Sequence, residues 1–199
     1  MKTSYRGVPQ LPRHAQCETA WTFIIMQPTL RYSLAQTSIA ALLIAVGPIG
    51  LVAIIVREKL QPPAMVGELE RRFPKARLSP DPAGTSSEMT KIRNFVEAPV
   101  RNVDLPLDIQ GTDFQRQVYR EVLTIPFGQT TTFADIASRI GSPKAVRAVG
   151  SACTRNPLEF AIPCHRVLRS DGTWSGGGEW GNWRQCMIVS REAAACRTQ

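Results

Sequence analysis

The most apolar stretch of the chain is an uncharged run of 18 residues from Ile39 to Val56. A run of that length lies at the lower limit for a helix that crosses a membrane. Gly47, Pro48 and Gly50 interrupt it, and glycine and proline together mark a turn. Because the flanks are rich in β-branched residues, the pattern favours two buried strands joined by a turn over a membrane span.

The residues that follow this run predict short helices separated by loops. Apolar side chains recur every fourth position over residues 64–73, which predicts an amphipathic helix, and a second helix is predicted over about 88–97. Residues 78–87 are rich in Pro, Ser, Gly and Asp and predict a surface loop. Residues 105–109 predict an edge strand or a linker, so we place a domain boundary near residue 104.

The second half of the chain has the helical period and clear helix starts. Thr112 and Gln115 have the spacing of a capping box, in which each side chain satisfies a backbone amide at the helix start. A second helix is predicted after Thr132 and ends at Gly141. Ser142 is predicted to cap a third helix with a proline in its first position. Two short helices joined by a Gly-Ser turn predict a helix-turn-helix.

The net charge of +8, from 24 Lys and Arg against 16 Asp and Glu, favours polyanionic partners. From Arg139 to Arg169 there are six basic residues and a single acid. On the predicted third helix, Lys144 and Arg147 share one arc with Ser151 and Arg155, and the opposite side is apolar. Such an arc is either an ordinary solvated helix face or a surface for a polyanion.

The five cysteines include no C-x-x-C pair, which argues against a disulfide framework and for a reducing compartment. No apolar run follows the first two residues as it would in a signal peptide, so we expect a cytoplasmic protein. Prolines break residues 1–28, and we expect a poorly ordered tail there. His14 and Cys17 are spaced like half of a metal site, but the only other histidine, His165, has no cysteine pair near it, so we predict no metal.

The strongest chemical signal is the run Ile162-Pro163-Cys164-His165-Arg166-Val167. A thiol is a nucleophile only as its thiolate, and nearby positive charge lowers the thiol pKa. His165 can take the proton of Cys164, and Arg166 adds positive charge beside it. A bare Cys-His pair is also typical of a buried structural cysteine.

The surrounding blocks favour the reactive cysteine. The run is preceded by Asn156-Pro157 and by the segment 144–150, and together these blocks resemble the O6-alkylguanine-DNA alkyltransferases, also called methylated-DNA–protein-cysteine methyltransferases. The resemblance is closest to the C-terminal half of the bacterial Ada-type proteins. It is strong over about residues 105–175 and weaker back to about residue 29.

The resemblance implies an α/β fold in two parts. Residues 29–104 would form a small mixed α/β N-terminal domain with an antiparallel sheet. Residues 105–199 would form a mainly helical domain that contains the helix-turn-helix and the cysteine loop.

The same resemblance implies DNA repair by a single-turnover transfer. An alkyl group on O6 of a guanine, rotated out of the duplex, would move to Cys164 and remain there as a thioether. His165 would pass a proton through water toward Glu192, and Asn156 would hold the turn that frames the site. No cofactor is implied, because the leaving group is guanine itself.

The implied partner is double-stranded DNA that contains O6-alkylguanine, approached from the minor groove by a monomeric protein without a membrane anchor. Arg147 would fill the gap left by the flipped base. The other residues at positions that contact or flank DNA are Gln115, Phe133, Ser142, Ser170 and Lys144.

Three departures from the family pattern bear on activity. Phe133 stands where a tyrosine is usual, and Gln185 stands where a lysine is usual. The loop 174–181 lacks the tyrosine expected in the guanine pocket and is one residue longer than the Ada-type loop. These changes predict low activity and leave open a non-enzymatic damage sensor that binds DNA without transfer. Related proteins that only bind damage lack the cysteine, so Cys164 favours transfer.

Overall fold

The computed structural model of the chain describes residues 28–174 and 181–197, apart from the side chains of residues 181–184. The predicted N-terminal tail, with His14 and Cys17, lies outside the described residues except for residue 28. Most of the loop 174–181 also lies outside them.

The N-terminal part is a four-stranded sheet with two helices. Its elements are β1 (Thr29–Gln36), β2 (Ala41–Val46), β3 (Leu51–Arg57), α1 (Pro62–Arg72), β4 (Arg77–Pro80) and α2 (Ser86–Glu97). The strand order is β3-β2-β1-β4; the β1–β2 and β2–β3 pairs are antiparallel, and β4 runs parallel to β1. The mixed fold with a mostly antiparallel sheet is therefore confirmed.

The long apolar run forms β2 and β3, as predicted. The described residues include no helix that is both long and apolar enough to cross a membrane. Met65 and Leu69 of α1 cover one face of the two strands, whereas α2 and the C-terminal helices cover the other. Because both faces are buried, the strands need no polar alternation, which explains the uncharged run.

The loop predicted over residues 78–87 is wrong at its start, because β4 occupies Arg77–Pro80. Among the described residues, this strand lies at the edge of the sheet and pairs only with β1, over Thr29–Tyr32. Proline is tolerated at such an edge, since only one side of the strand needs partners.

The C-terminal part is mainly helical, as predicted. Its elements are α3 (Asp113–Leu123), β5 (Thr131–Thr132), α4 (Phe133–Arg139), α5 (Val146–Thr154), a 3-10 turn (Cys164–Arg166), β6 (Val167–Leu168) and α6 (Gly181–Arg197). Strands β5 and β6 form a short parallel pair. The helices α4 and α5 form the predicted helix-turn-helix.

The helix starts agree with the sequence in two cases and differ in one. Thr112 and Gln115 form the capping box at α3, and Thr132 forms a second box with Asp135 at α4. The cap predicted for Ser142 is wrong, because α5 begins at Val146. The Ser142 amide donates to the Ala137 carbonyl at 2.9 Å and so closes the C-terminus of α4. Gly141 makes this closure possible with a φ of 71°.

The outer edge of β3 is covered by two later segments. The Leu51 amide donates to the Pro106 carbonyl at 2.8 Å, and the Asp108 amide donates to the Leu51 carbonyl at 2.9 Å. The Ile54 amide donates to the Pro157 carbonyl at 2.7 Å. The predicted edge strand or linker 105–109 thus pairs with the sheet, and the segment that leads to Cys164 is anchored on the same strand.

Candidate active site and nucleic-acid interface

Cys164 opens the 3-10 turn that precedes β6. Pro163 occupies the N-cap, its carbonyl accepts the Arg166 amide at 3.0 Å, and the Ile162 carbonyl accepts the Cys164 amide at 2.7 Å. These bonds place three consecutive functional side chains on one tight turn. Cys164 remains partly exposed, whereas His165 and Arg166 are buried.

Asn156 is buried beneath the cysteine loop and organises its backbone. Its Oδ1 accepts the Leu158 amide at 2.9 Å, and its Nδ2 donates to the Ile162 carbonyl at 3.0 Å. The same Nδ2 lies 3.4 Å from Cys164 Sγ. The structure therefore brings the predicted turn residue into direct contact with the predicted acceptor.

His165, Glu192 and Arg166 form a buried polar cluster. His165 Nε2 lies 2.9 Å from Glu192 Oε1. Arg166 donates to the same carboxylate, from Nε to Oε2 at 2.8 Å and from Nη2 to Oε1 at 3.0 Å. The exposed fraction is 6% for His165, 1% for Arg166 and 0% for Glu192, so each charge depends on its partners.

The guanidinium of Arg166 is bonded to groups other than Cys164. Besides Glu192 it binds the Ile125 carbonyl through Nη1 at 2.9 Å and Asn102 Oδ1 through Nη2 at 2.7 Å, and its guanidinium lies 5.4 Å from the centre of the Phe127 ring. The expectation that Arg166 adds activating charge beside Cys164 is wrong, because its guanidinium is bound to the carboxylate.

The surroundings raise the pKa of the Cys164 thiol and lower the pKa of the His165 imidazole. Cys164 is therefore protonated and His165 is neutral at neutral pH. A hydrogen bond with Cys153 and burial raise the pKa of Cys164 well above its usual value, and the Asn156 amide only partly opposes them. Burial lowers the pKa of His165, and the charge of Arg166 lowers it further, against the opposing effect of Glu192. Burial alone raises the pKa of Glu192, but hydrogen bonds from His165 and Arg166 outweigh it and hold that pKa below its usual value.

The C-terminal end of α2 reaches this site. The Phe95 ring lies 6.0 Å from the His165 ring and 5.9 Å from the Phe160 ring. Phe160 adopts a φ of 68°, which is unfavourable for a residue with a side chain, and aromatic packing holds it there. Arg191, next to Glu192 on α6, donates to the Val96 carbonyl at 2.6 Å.

Sequence reasoning missed the residues that surround the relay. It assigned no role to Phe95, Asn102 or Arg191, and it gave Arg166 the wrong partner. For Arg166 a signal existed, since an arginine in an apolar segment has to find a carboxylate when buried. Asn102 had no signal, because its partner lies 64 positions away in sequence.

The predicted DNA-binding residues are dispersed around the helix-turn-helix. Arg147 and Ser151 are exposed on α5, and Arg155 is exposed at its C-cap, while Val149 and Cys153 of the opposite face are buried. The other predicted contacts divide by exposure: Lys144 and Ser170 are exposed, Gln115 and Ser142 are half-buried, and Phe133 is buried. Lys144 lies in the turn before α5 and not on the helix. The DNA contacts themselves stay predictions, including that of Phe133, whose ring packs in the core.

Several known proteins are similar to this chain in sequence. The family model described as 6-O-methylguanine DNA methyltransferase, DNA binding domain, matches residues 113–194. The chain is 39% identical over 164 residues to the bifunctional transcriptional activator/DNA repair enzyme Ada of Escherichia coli, which covers 82% of this chain and 46% of Ada. It is 35% identical over 129 residues to the methylated-DNA–protein-cysteine methyltransferase of Mycobacterium tuberculosis, covering 64% of this chain and 78% of that protein. The chain belongs to the methylated-DNA–protein-cysteine methyltransferase family.

Solved structures of this family share the fold. The crystal structure of Mycobacterium tuberculosis OGT in complex with DNA matches with a TM-score of 0.69 at 29% identity, over 84% of this chain and 94% of that one. The O6-methylguanine methyltransferase of the same organism matches with a TM-score of 0.70 at 30% identity, over 83% and 94%. The chain spans about half the length of the Ada proteins that it matches.

Proposed function

We propose that the chain repairs DNA by single-turnover transfer of an alkyl group from O6 of guanine to Sγ of Cys164. The observation that carries the proposal is the buried 2.9 Å contact between Glu192 and His165, the residue that follows the partly exposed Cys164 on the same 3-10 turn. A histidine held by a carboxylate is the arrangement that activates a neighbouring nucleophile.

In the proposed step the Cys164 thiol gives its proton, through water, to His165. The sulfur then forms a bond to the alkyl carbon as the bond from that carbon to O6 breaks. The electron pair of the broken bond stays with guanine, which takes up a proton. Glu192 stabilises the imidazolium that forms at His165, where burial would otherwise penalise it.

The raised pKa of Cys164 makes the base necessary. A thiol that stays protonated at neutral pH is a weak nucleophile. It becomes reactive only when His165 removes its proton, and Asn156 Nδ2 is placed at 3.4 Å to donate to the resulting sulfur anion. In this scheme His165 is the base and Glu192 stabilises its positive charge. Asn156 donates a hydrogen bond to the thiolate.

The proposed substrate is double-stranded DNA with O6-alkylguanine, bound through the minor groove by a monomer. Arg147 would occupy the space of the flipped base, and the exposed Lys144 and Ser170 would anchor phosphates. Residues 29–104 and 105–199 would act as two domains, and the free thiol of Cys164 fits a reducing cytoplasm.

A stoichiometric transfer assay tests this function. Incubation with duplex DNA that carries labelled O6-methylguanine should label the protein to at most one equivalent, and Cys164→Ala should abolish the labelling. Cys186→Ala is the matched control, because Cys186 is exposed on α6 and should be dispensable. Catalytic turnover, or labelling that persists in Cys164→Ala, would be fatal to the proposal.

A damage sensor that binds without transfer is the competing function, and it is favoured by Phe133, which stands where the family has a tyrosine and whose ring is buried in the core. The same assay separates the two. A sensor binds alkylated duplex more tightly than unmodified duplex and retains a free thiol at Cys164 after prolonged incubation.

A further inference from the structure

The guanidinium of Arg166 has a fixed position at the centre of the polar cluster. Its Nε and Nη2 donate hydrogen bonds to the two carboxylate oxygens of Glu192, and its Nη1 donates to the Ile125 carbonyl. A planar guanidinium that binds both carboxylate oxygens fixes the plane of the carboxylate. The direction in which Glu192 Oε1 points toward His165 therefore depends on where Arg166 is held.

Among the described residues, only Glu192 and Asn102 accept hydrogen bonds from the Arg166 guanidinium through their side chains. The remaining acceptor is the backbone carbonyl of Ile125. Asn102 Oδ1 lies 2.7 Å from Nη2, the nitrogen that also donates to Glu192 Oε1. That oxygen is the one in contact with His165 Nε2. A continuous chain of hydrogen bonds thus runs from the segment between α2 and α3 to the imidazole.

We propose that Asn102 is a positioning residue for the transfer reaction, acting through Arg166 to aim Glu192 at His165. The inference rests on the proposed function. Asn102 is itself exposed, so its side chain adds little to the core, and its direct bond to Nη2 is the contact that gives it a role.

The electrostatics of the cluster give this role a measurable signature. Within residues 28–174 and 185–197, the charged or titratable side chains that act on the His165–Glu192 pair are these two residues themselves and Arg166. Around Cys164 they are Cys153 of α5, Glu159 of the preceding loop and Tyr119 of α3. Arg166 lowers the pKa of both His165 and Glu192, so a guanidinium that loses its anchor lets both values rise.

The test is the pH profile of Cys164 alkylation by the free base O6-benzylguanine, which needs no DNA. Transfer requires neutral His165 and ionised Glu192, so the rate falls on the acid side of the profile. Asn102→Ala should move this acid limb to higher pH and slow the reaction near neutral pH by about threefold to tenfold, as partial loss of general-base catalysis. Asn94→Ala, the same substitution at an exposed position of α2, should leave the profile unchanged.

Asn102→Gln supplies the rescue, because it keeps a neutral amide oxygen for Nη2 at an exposed position. Its acid limb should return toward the wild-type position. An unshifted acid limb in Asn102→Ala, with or without a uniform loss of rate, overturns the positioning role, as does failure of Asn102→Gln to restore the limb. A wild-type protein that transfers no alkyl group from either duplex or free base overturns the proposed function itself and this inference with it.

Discussion

Two regions of the protein are buried equally deeply and held by opposite means. In β2 and β3 the buried side chains are apolar, and both faces of the strands are covered. In the cluster of His165, Arg166 and Glu192 the exposed fractions are just as small, but every side chain is polar or charged. The first region is stabilised by removing apolar surface from water, whereas the second is tolerated only because its groups are paired.

The difference lies in what a single substitution leaves behind. An apolar truncation in the strands leaves a small cavity, whose cost scales with its size. The loss of one partner in the cluster leaves a charge in a place that water does not reach. The cluster should therefore be the more fragile region, although the strands contain more of the core.

The largest effect is expected for Arg166→Met, which retains an apolar side chain but leaves the Glu192 carboxylate buried without its arginine partner. We expect a loss of about 3–5 kcal/mol in the free energy of unfolding, as for other broken buried ion pairs. Urea denaturation measures it. Arg166→Met combined with Glu192→Gln should recover part of the loss, because no unpaired charge then remains.

Ile55→Val is the matched control in β3, on the face covered by α1 and away from the cysteine. It removes one methylene group and should cost about 0.5–1.5 kcal/mol without changing the transfer rate. If Arg166→Met costs no more than Ile55→Val, the two regions do not differ in the manner described.

A smaller effect is expected from pH. The folded pKa of His165 lies below its usual 6.5, so the unfolded chain binds a proton there first as pH falls. The stability contributed by neutral His165 is thus complete above about pH 6.5 and is lost as pH falls below that value. Glu192, whose folded pKa lies below its usual 4.5, adds a second loss at more acid pH.

Denaturation at a series of pH values should therefore show a free energy of unfolding that declines below about pH 6.5. His165→Phe should flatten the first part of this decline, whereas Ile55→Val should lower the whole curve in parallel. A slope that is unchanged in His165→Phe would show that another group causes it.

The smallest effect on stability is expected for Arg147→Ala, because Arg147 is exposed on α5. The free energy of unfolding should change by no more than about 0.5 kcal/mol. Transfer to duplex DNA should nevertheless slow by at least about tenfold, since flipping a base costs a few kcal/mol that the inserted side chain helps to offset. Single-turnover rates with duplex and with O6-benzylguanine measure the difference, and the free base should react at nearly the unmodified rate.

Arg155→Ala is the control, at the exposed C-cap of α5. A residue that only neutralises a phosphate should weaken binding to all duplexes alike and reduce the salt slope by about one unit. Equal losses by Arg147→Ala on duplex and free base would remove the insertion role.

Local patterns predicted the elements whose causes are local. The apolar run, broken by Gly47 and Pro48, gave β2 and β3, and the hydroxyls of Thr112 and Thr132 marked two helix starts. Ser142 misled because the residue before it, Gly141, turned the chain so that the Ser142 amide closed α4. β4 was missed because the residues of β1 with which it pairs lie 48 positions earlier in sequence.

In the candidate site, too, some residues could be predicted from sequence and others depended on distant partners. The residue pattern pointed to Cys164 and His165, and the resemblance added Asn156 and Glu192. In the structure Asn156 contacts Cys164 and Glu192 contacts His165. The resemblance could not supply the partners of Arg166, because they depend on how α2, α3 and α6 pack around one guanidinium. Pairing across such distances is set by tertiary structure and leaves no periodic trace in sequence.

The hydrogen bond from Ile54 to Pro157 has a consequence for how the molecule is made. It joins residues roughly a hundred positions apart, so the contact order of the cysteine loop is high, and closing it is slow. The segment that contains Pro106 can cover the edge of β3 at Leu51 first, but Ile54 has to wait until residue 157 has been synthesised. Until then, the nascent chain presents an unpaired backbone edge at Ile54 that can pair with another chain.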